Sequence, residues 1–301
     1  MDATPTIDIG LFANLRDRDL TREGLLVAEG RLVVERLLAV AGRTPEGLPS
    51  AGIGTAGKPE LLGLVCPPPE EAEWQDKVAG RCPVLARTEA DISGIAGFNF
   101  HRGVLAAARA PTLPAFETWW EDCLGQAAGS GSHARSPSRL VLCPDLNDAE
   151  NLGSIYRCAS ALGWDGVGIG AACTSPFSRR VLRVSMGNCL RLPSFSLTAD
   201  TDFSGLRRQG FVVVGTSIRP AARPLAELRQ ELCELARFNP PETPIRIALI
   251  FGNEFSGLRP EQEAACDRLV TIPMHGGTDS LNVAVAAGIF MHELGAGCCG
   301  E

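Results

Sequence analysis

Lysine is nearly missing from this chain: Lys58 and Lys77 stand alone among 28 basic residues, and the rest are arginine. Acidic residues outnumber basic ones, giving a net charge of −7. That balance works against a globally basic nucleic-acid binder, because phosphate contacts rely on Lys and Arg. Uninterrupted apolar runs of about 18 residues are missing too, which argues against a membrane-spanning helix. The opening Met1-Asp2-Ala3-Thr4-Pro5-Thr6 has no basic stretch leading into an apolar one. A secretory signal is therefore not expected, and a cytoplasmic setting is. No Cys-x-x-Cys pair occurs among the 11 cysteines, and no histidine accompanies them at ligand spacing. A metal centre is not expected on those grounds; reduced, mostly buried thiols are. The run Gly166-Val167-Gly168-Ile169-Gly170 lacks the Gly-x-Gly-x-x-Gly spacing that opens a dinucleotide-binding helix, which speaks against NAD.

What is present is ordinary globular composition, 45% hydrophobic and 21% charged over 301 residues. That length allows two domains, or one large one, each with its own core. Over 1–112 helical and short apolar segments alternate, with a helix predicted over 31–40 and strands over 61–66 and 104–108. A helix over 114–124 carries Trp119 and Trp120 and runs into 125–138, whose Gly/Ser-rich composition is that of a flexible linker. From 139 onward strands are predicted at 139–144, 166–170, 190–197, 211–217, 245–252 and 268–273, with helices at 151–162 and 280–294. Such alternation predicts an α/β domain with a mostly parallel sheet and helices on both faces. The expected division is 1–112, a linker with a short helix at 113–138, and 139–301.

Three of the strand-like runs end in glycine and polar side chains. After 139–143 comes Asn151-x-Gly153-x-x-x-Arg157; after 245–251 comes Gly252-Asn253-Glu254-x-x-Gly257-Leu258. Ile272-Pro273-Met274 precedes Ser280-Leu281-Asn282-Val283-Ala284, and the helix entered there is apolar at almost every position. A helix apolar all round is expected to be buried, leaving Ser280 and Asn282 at the mouth of a core element. Each polar residue also has a plainer reading. Asp279, Ser280 or Asn151 could be a helix cap, Arg157 a surface partner of Glu150 or Asp148, and Glu254 a loop anchor. In open parallel sheets, however, ligands bind outside the carboxyl ends of the strands, where these loops gather.

Taken in order, these elements resemble the SpoU/TrmH family of RNA 2′-O-ribose methyltransferases, within the SPOUT superfamily. The resemblance implies a C-terminal SPOUT domain with a deep trefoil knot. Before it, the family carries a small α/β/α substrate-binding domain resembling certain ribosomal proteins. Ala28-Glu29-Gly30 looks like that domain's opening motif and Phe100-His101-Arg102-Gly103 like its closing one, with Arg102 replacing the family's usual glutamine. The resemblance further implies S-adenosyl-L-methionine as methyl donor, transfer or ribosomal RNA as partner, and a homodimer with its site completed across the interface. Main-chain groups at Gly252, Ile272 and Leu281 are expected to hold the donor, with Thr216, Asn253, Gly257 and Met274 nearby. Arg157, Asn151, Glu254, Ser280 and Asn282 are the expected catalytic set. Guanidinium stays protonated in proteins, so Arg157 suits a developing alkoxide or a phosphate better than proton abstraction.

Arg179, Arg180, Arg183 and Arg191 share a stretch without an acidic residue. Of these, Arg179, Arg180 and Arg183, together with Ser185 and Arg102, are the expected RNA contacts, the alternative for Arg183 to Gly187 being a solvated helix face. Two rival functions remain open at this point: a catalytically inactive RNA-binding relative, and a nucleotide-dependent α/β enzyme unrelated to methylation.

Overall fold

The computed structural model describes residues 12, 16–41, 57–96, 103–129, 137–197, 201–238 and 245–295. His101 and Arg102, and with them the expected closing motif's polar pair, lie outside the described residues. The chain forms two compact units, one of 1–112 together with 175–191, the other of 113–174 together with 192–301.

The first unit contains α1 (Asp17–Arg22), β1 (Leu25–Glu29), α2 (Arg31–Ala41), β2 (Glu60–Cys66), α3 (Glu71–Val78), β3 (Val84–Ala86), α4 (Glu89–Ala96) and β4 (Leu105–Arg109). Its sheet runs β1-β4-β2-β3, with β4 antiparallel to both neighbours and β3 parallel to β2. Helix α2 buries Val33, Val34, Leu37 and Leu38, the three-and-four spacing of a single apolar stripe. The short β3 and helices α3 and α4 left no clear apolar period in the sequence.

In the second unit α5 (Phe116–Gly129), β5 (Arg139–Cys143), α6 (Ala149–Ala161) and β6 (Gly166–Gly170) come first. The chain then makes α7 (Arg179–Val184), which belongs to the first unit, before returning. The rest is β7 (Ser194–Leu197), α8 (Ser204–Arg208), β8 (Phe211–Thr216), β9 (Arg223–Pro224), α9 (Leu225–Phe238), β10 (Arg246–Ile250), α10 (Pro260–Ala264), β11 (Arg268–Thr271) and α11 (Val283–Glu293). Seven strands lie in the order β7-β6-β5-β10-β8-β11-β9, and every neighbouring pair is parallel. Strands β5, β6 and β10 are buried almost end to end, as a parallel sheet covered on both faces requires. Strands β5, β6 and β7 step outward one way and β10, β8 and β11 the other, so the order reverses beside β5.

Three expectations need correcting. Helix α5 continues to Gly129, through residues expected to be linker, and its Trp119 and Trp120 are fully buried. They pack with Phe116, Phe195 and Phe211 in the second unit's core, Trp119 stacking on Phe195 at 4.8 Å between ring centroids. The glycines of β6 make room for these rings: a Cβ at 166 would lie 3.1 Å from Trp119, and one at 168 only 2.7 Å from Phe195. Next, the strand expected over 190–197 begins at Ser194, because Asn188–Leu190 forms a single tight turn. Last, α11 is not a buried helix. Ala287, Phe290 and Met291 are buried where the helix packs against α6, while Val285 and Ile289 remain exposed.

Among the described residues the nine cysteines are free thiols. Burial pushes Cys173 and Cys189 up to about 12, which keeps them protonated and weakly nucleophilic. No described helix is long and apolar enough to cross a membrane, and no described cluster of His, Cys, Asp or Glu could hold a metal ion.

Candidate active site

Helix α6 starts at the carboxyl end of β5, and Asp148 caps it, its carboxylate accepting from the amides of Glu150 (2.6 Å) and Asn151 (3.3 Å). Asn151 is therefore not the cap. It sits one turn in, buried, with its side-chain amide free to act elsewhere. Its Nδ2 donates to Glu254 Oε1 at 3.3 Å, and its Oδ1 accepts from Asn282 Nδ2 at 3.0 Å. Glu254 also accepts from the amides of Asn147 (3.3 Å) and Asp148 (2.9 Å). Asn282 is the N-cap of α11, its Oδ1 taking the amides of Ala284 (2.9 Å) and Val285 (3.3 Å). Glu254, Asn151 and Asn282 thus tie together the loops after β10, β5 and β11.

The loop after β10 is held just as closely. Asn253 and Gly257 exchange backbone hydrogen bonds of 3.1 and 2.9 Å, and Asn253 Nδ2 donates to the Asp145 carbonyl at 3.1 Å. Gly257 has φ +66°, a left-handed conformation that glycine adopts without a Cβ penalty. Gly252 is needed for a different reason. A Cβ there would lie 2.2 Å from the Gly257 carbonyl carbon and 2.3 Å from the Leu258 nitrogen. Its bareness lets the loop close on itself.

These loops and the end of β8 enclose a cavity of about 400 Å³, a volume in the range of small-molecule sites. Asn151, Thr216, Gly252, Asn253, Glu254, Gly257, Ile272, Met274, Ser280, Leu281 and Asn282 all line it. Phe251 and Phe290 add an edge-to-face aromatic pair at 6.1 Å. Thr216 turns its hydroxyl to the Ile250 carbonyl (2.9 Å), securing neighbouring strand ends. Sequence reading missed Ser217, Arg219 and Glu263, which line the same cavity. Glu263 accepts from Ser217 Oγ at 2.7 Å and pairs with Arg219 at 2.9 Å. The available signal was the polar run directly after β8, at a fourth strand end.

Arg157 is not among the lining residues. It stands on the exposed side of α6, and neither a hydrogen bond nor an ion pair holds its guanidinium among the described residues. The expected surface pairing with Glu150 or Asp148 is not made. Along the adjoining face, Ser154 and Cys158 of α6 and Val285, Gly288 and Ile289 of α11 border a shallow open groove.

The expected RNA contacts divide. Arg179 pairs with Glu29, a carboxylate of β1 with only 3% of its side chain exposed, and its amide donates to Asp17 at 2.7 Å. Ser185 is fully buried, its hydroxyl 3.2 Å from the Leu182 carbonyl and 3.3 Å from Cys189 Sγ. Both are internal to the first unit, so they do not form the solvent face the sequence suggested. Arg180 is exposed and Arg183 half-buried.

A parallel, doubly covered sheet whose order reverses beside a ligand-sized cavity defines the class, an open α/β fold of the kind in which ligand sites lie outside the carboxyl ends of the strands. More narrowly, the chain belongs to the SpoU rRNA Methylase family, whose model matches residues 138–292. It is 34% identical over 276 residues to an uncharacterised tRNA/rRNA methyltransferase of Mycobacterium bovis, covering 91% of this chain and 81% of that one. It is 31% identical over 203 residues to a 23S rRNA (guanosine-2′-O-)-methyltransferase of Ralstonia nicotianae, covering 67% and 72%. The fold is similar to that of the AdoMet-bound rRNA methyltransferase of Sinorhizobium meliloti, with TM-score 0.69, 23% identity and coverage of 94% and 92%.

Proposed function

We propose that this protein moves the methyl group of S-adenosyl-L-methionine to a ribose 2′-hydroxyl of transfer or ribosomal RNA. One observation carries the reading: Glu254, Asn151 and Asn282 join three motif loops around a single cavity. The cavity suits the donor. Its walls offer aromatic and aliphatic surface from Phe251, Ile272 and Leu258, and its rim offers main-chain groups at Gly252 and Leu281. When bound, the donor supplies an activated methyl on a sulfonium, so that the 2′-oxygen–carbon bond forms as the sulfur–carbon bond breaks and a thioether leaves.

The chain's own contribution is alignment and charge. Holding reactants in line can lower a barrier by several kcal/mol, up to ~7–11 in favourable cases. Arg157, exposed and without a hydrogen bond or ion pair among the described residues, is available to a phosphate or to the oxygen as its proton departs to solvent or base. That the Ralstonia relative is a guanosine-2′-O-methyltransferase favours the 2′-oxygen as acceptor.

We further propose that the chain forms a homodimer through α11 and α6. Val285 and Ile289 expose apolar surface in that groove, and contiguous apolar surface of this kind marks an interface. A second subunit's RNA could then meet Arg157. Residues 1–112 are proposed as the RNA-selecting unit, and the loops of 246–294 as the region of a trefoil knot.

Incubation with tritiated S-adenosyl-L-methionine and bulk tRNA or rRNA, followed by mapping of the modified ribose, tests the reading. Arg157→Ala is expected to cut methyl transfer by about 10²–10³-fold while donor affinity, measured by calorimetry, stays near wild type. Transfer that survives the substitution removes the catalytic assignment. Donor binding without any transfer favours an inactive RNA-binding relative.

A further inference from the structure

Phe255 stands 97% exposed at the tip of the loop after β10, and it lines the same cavity as Gly252 and Asn282. Exposing a phenylalanine forgoes the stabilisation that burying it contributes, so a folded chain gains nothing by displaying it. Nor is the ring displayed by a slack loop. Before the ring, Glu254 is held by three donors; after it, the Ser256 amide donates to Asn253 Oδ1 at 3.4 Å, as the Phe255 amide does at 3.0 Å, and Gly257 exchanges backbone hydrogen bonds with Asn253. The backbone is fixed at both flanks and the side chain points into solvent. Ile218, 65% exposed, borders the same opening.

We infer that Phe255 is a stacking platform for a nucleobase of the RNA next to the ribose being methylated, and so a specificity-determining residue. The inference rests on the methyl-transfer reading, since that reading brings RNA to this opening. Single-stranded RNA is recognised chiefly by bases splayed onto aromatic faces. A rigid ring at the cavity mouth offers such a face with little ordering cost. A second copy of this chain is the other apolar occupant to consider; the exposed Val285 and Ile289 of α11 border the groove beside α6 rather than this opening, and the oligomeric state of the variant separates the two.

Tryptophan fluorescence gives a direct test, because Trp74, Trp119, Trp120 and Trp164 are all buried. Phe255→Trp adds a solvent-exposed indole whose emission should be quenched by a mixed-sequence single-stranded oligoribonucleotide and not by its abasic counterpart. Phe255→Ala should raise KM for RNA, read at saturating donor, by about 10-fold or more. Unquenched emission from a variant that still binds donor and methylates RNA overturns the stacking role and leaves the proposed function standing. Quenching in a protein that transfers no methyl supports the platform while the catalytic reading fails. Conversion of dimers to monomers by Phe255→Ala assigns the ring to a second copy and overturns the inference.

Discussion

Two regions of this chain concentrate polar residues in apolar surroundings, the cavity at the ends of β5, β10, β8 and β11 and the segment 175–191. As sequence they look equally functional; as structure they differ in where the polar atoms point. In the cavity, Glu254, Asn151 and Asn282 bond mainly to backbone amides and to one another, and the space they border stays open. In 175–191 the polar atoms turn inward. Arg179 neutralises the buried Glu29, Asp17 takes the amides of Arg179 and Arg180, and Arg36 donates to the Met186 carbonyl and to Asn188. Clustered arginines are therefore a weak guide to an RNA footprint here. A glycine and amide pattern at several strand ends is a stronger guide to a ligand site.

The largest expected contrast comes from Gly252→Ala. The added Cβ meets backbone atoms of Gly257 and Leu258 rather than a flexible side chain, so the loop must open. Overpacking of this kind costs up to ~3 kcal/mol or more, which predicts a fall of about 100-fold in donor affinity by calorimetry. Unchanged affinity would mean that the closed loop is not what shapes the cavity.

Arg179→Ala should act on the other region by stability alone. Removing one partner of a buried pair leaves an uncompensated charge and costs about 3–5 kcal/mol. Glu29 is 3% exposed and Arg179 15%, which puts this pair in that regime. Urea unfolding should show a midpoint shifted well down, while the salt dependence of RNA binding at a permissive urea-free temperature should not change. A reduced salt slope would return Arg179 to the phosphate contacts. The exposed Arg180 is the internal control: its substitution should shift the midpoint far less than Arg179→Ala does and should lower the slope.

How far the sequence could be read follows from the range of the interactions involved. Strands β5, β6, β8 and β10 were legible because a parallel strand covered on both faces is a nearly unbroken apolar run, and β11, though only Val270 is buried, because its residues are β-branched and apolar. The cavity residues were legible because short-range motifs fix them: cap, turn and glycine all lie within a few positions of each other. Helix α5 was cut short because Gly/Ser composition signals a linker locally, whereas its two tryptophans are held by Phe195 and Phe211, far along the chain. Arg179 was misread for the same reason, since its partner Glu29 lies 150 positions away. The exposed half of α11 was illegible because an apolar residue looks the same whether it meets a core or another subunit. Glu263 lacked any local mark, as its partners come from the loop after β8.

The smallest expected effect makes the finest test of the comparison. Ser185 was an expected RNA contact, yet its hydroxyl is spent inside the first unit on Leu182 and Cys189. Ser185→Ala removes a buried donor along with its bond and leaves acceptors that retain other partners, Leu182 O taking the Gly187 amide at 2.7 Å. The loss should be close to a single net hydrogen bond, about 1 kcal/mol, visible as a small drop in urea midpoint. RNA affinity should stay put, because nothing exposed has changed. Weaker RNA binding at undiminished stability would instead mean that this turn opens when RNA arrives, and that segment 175–191 is a working surface after all.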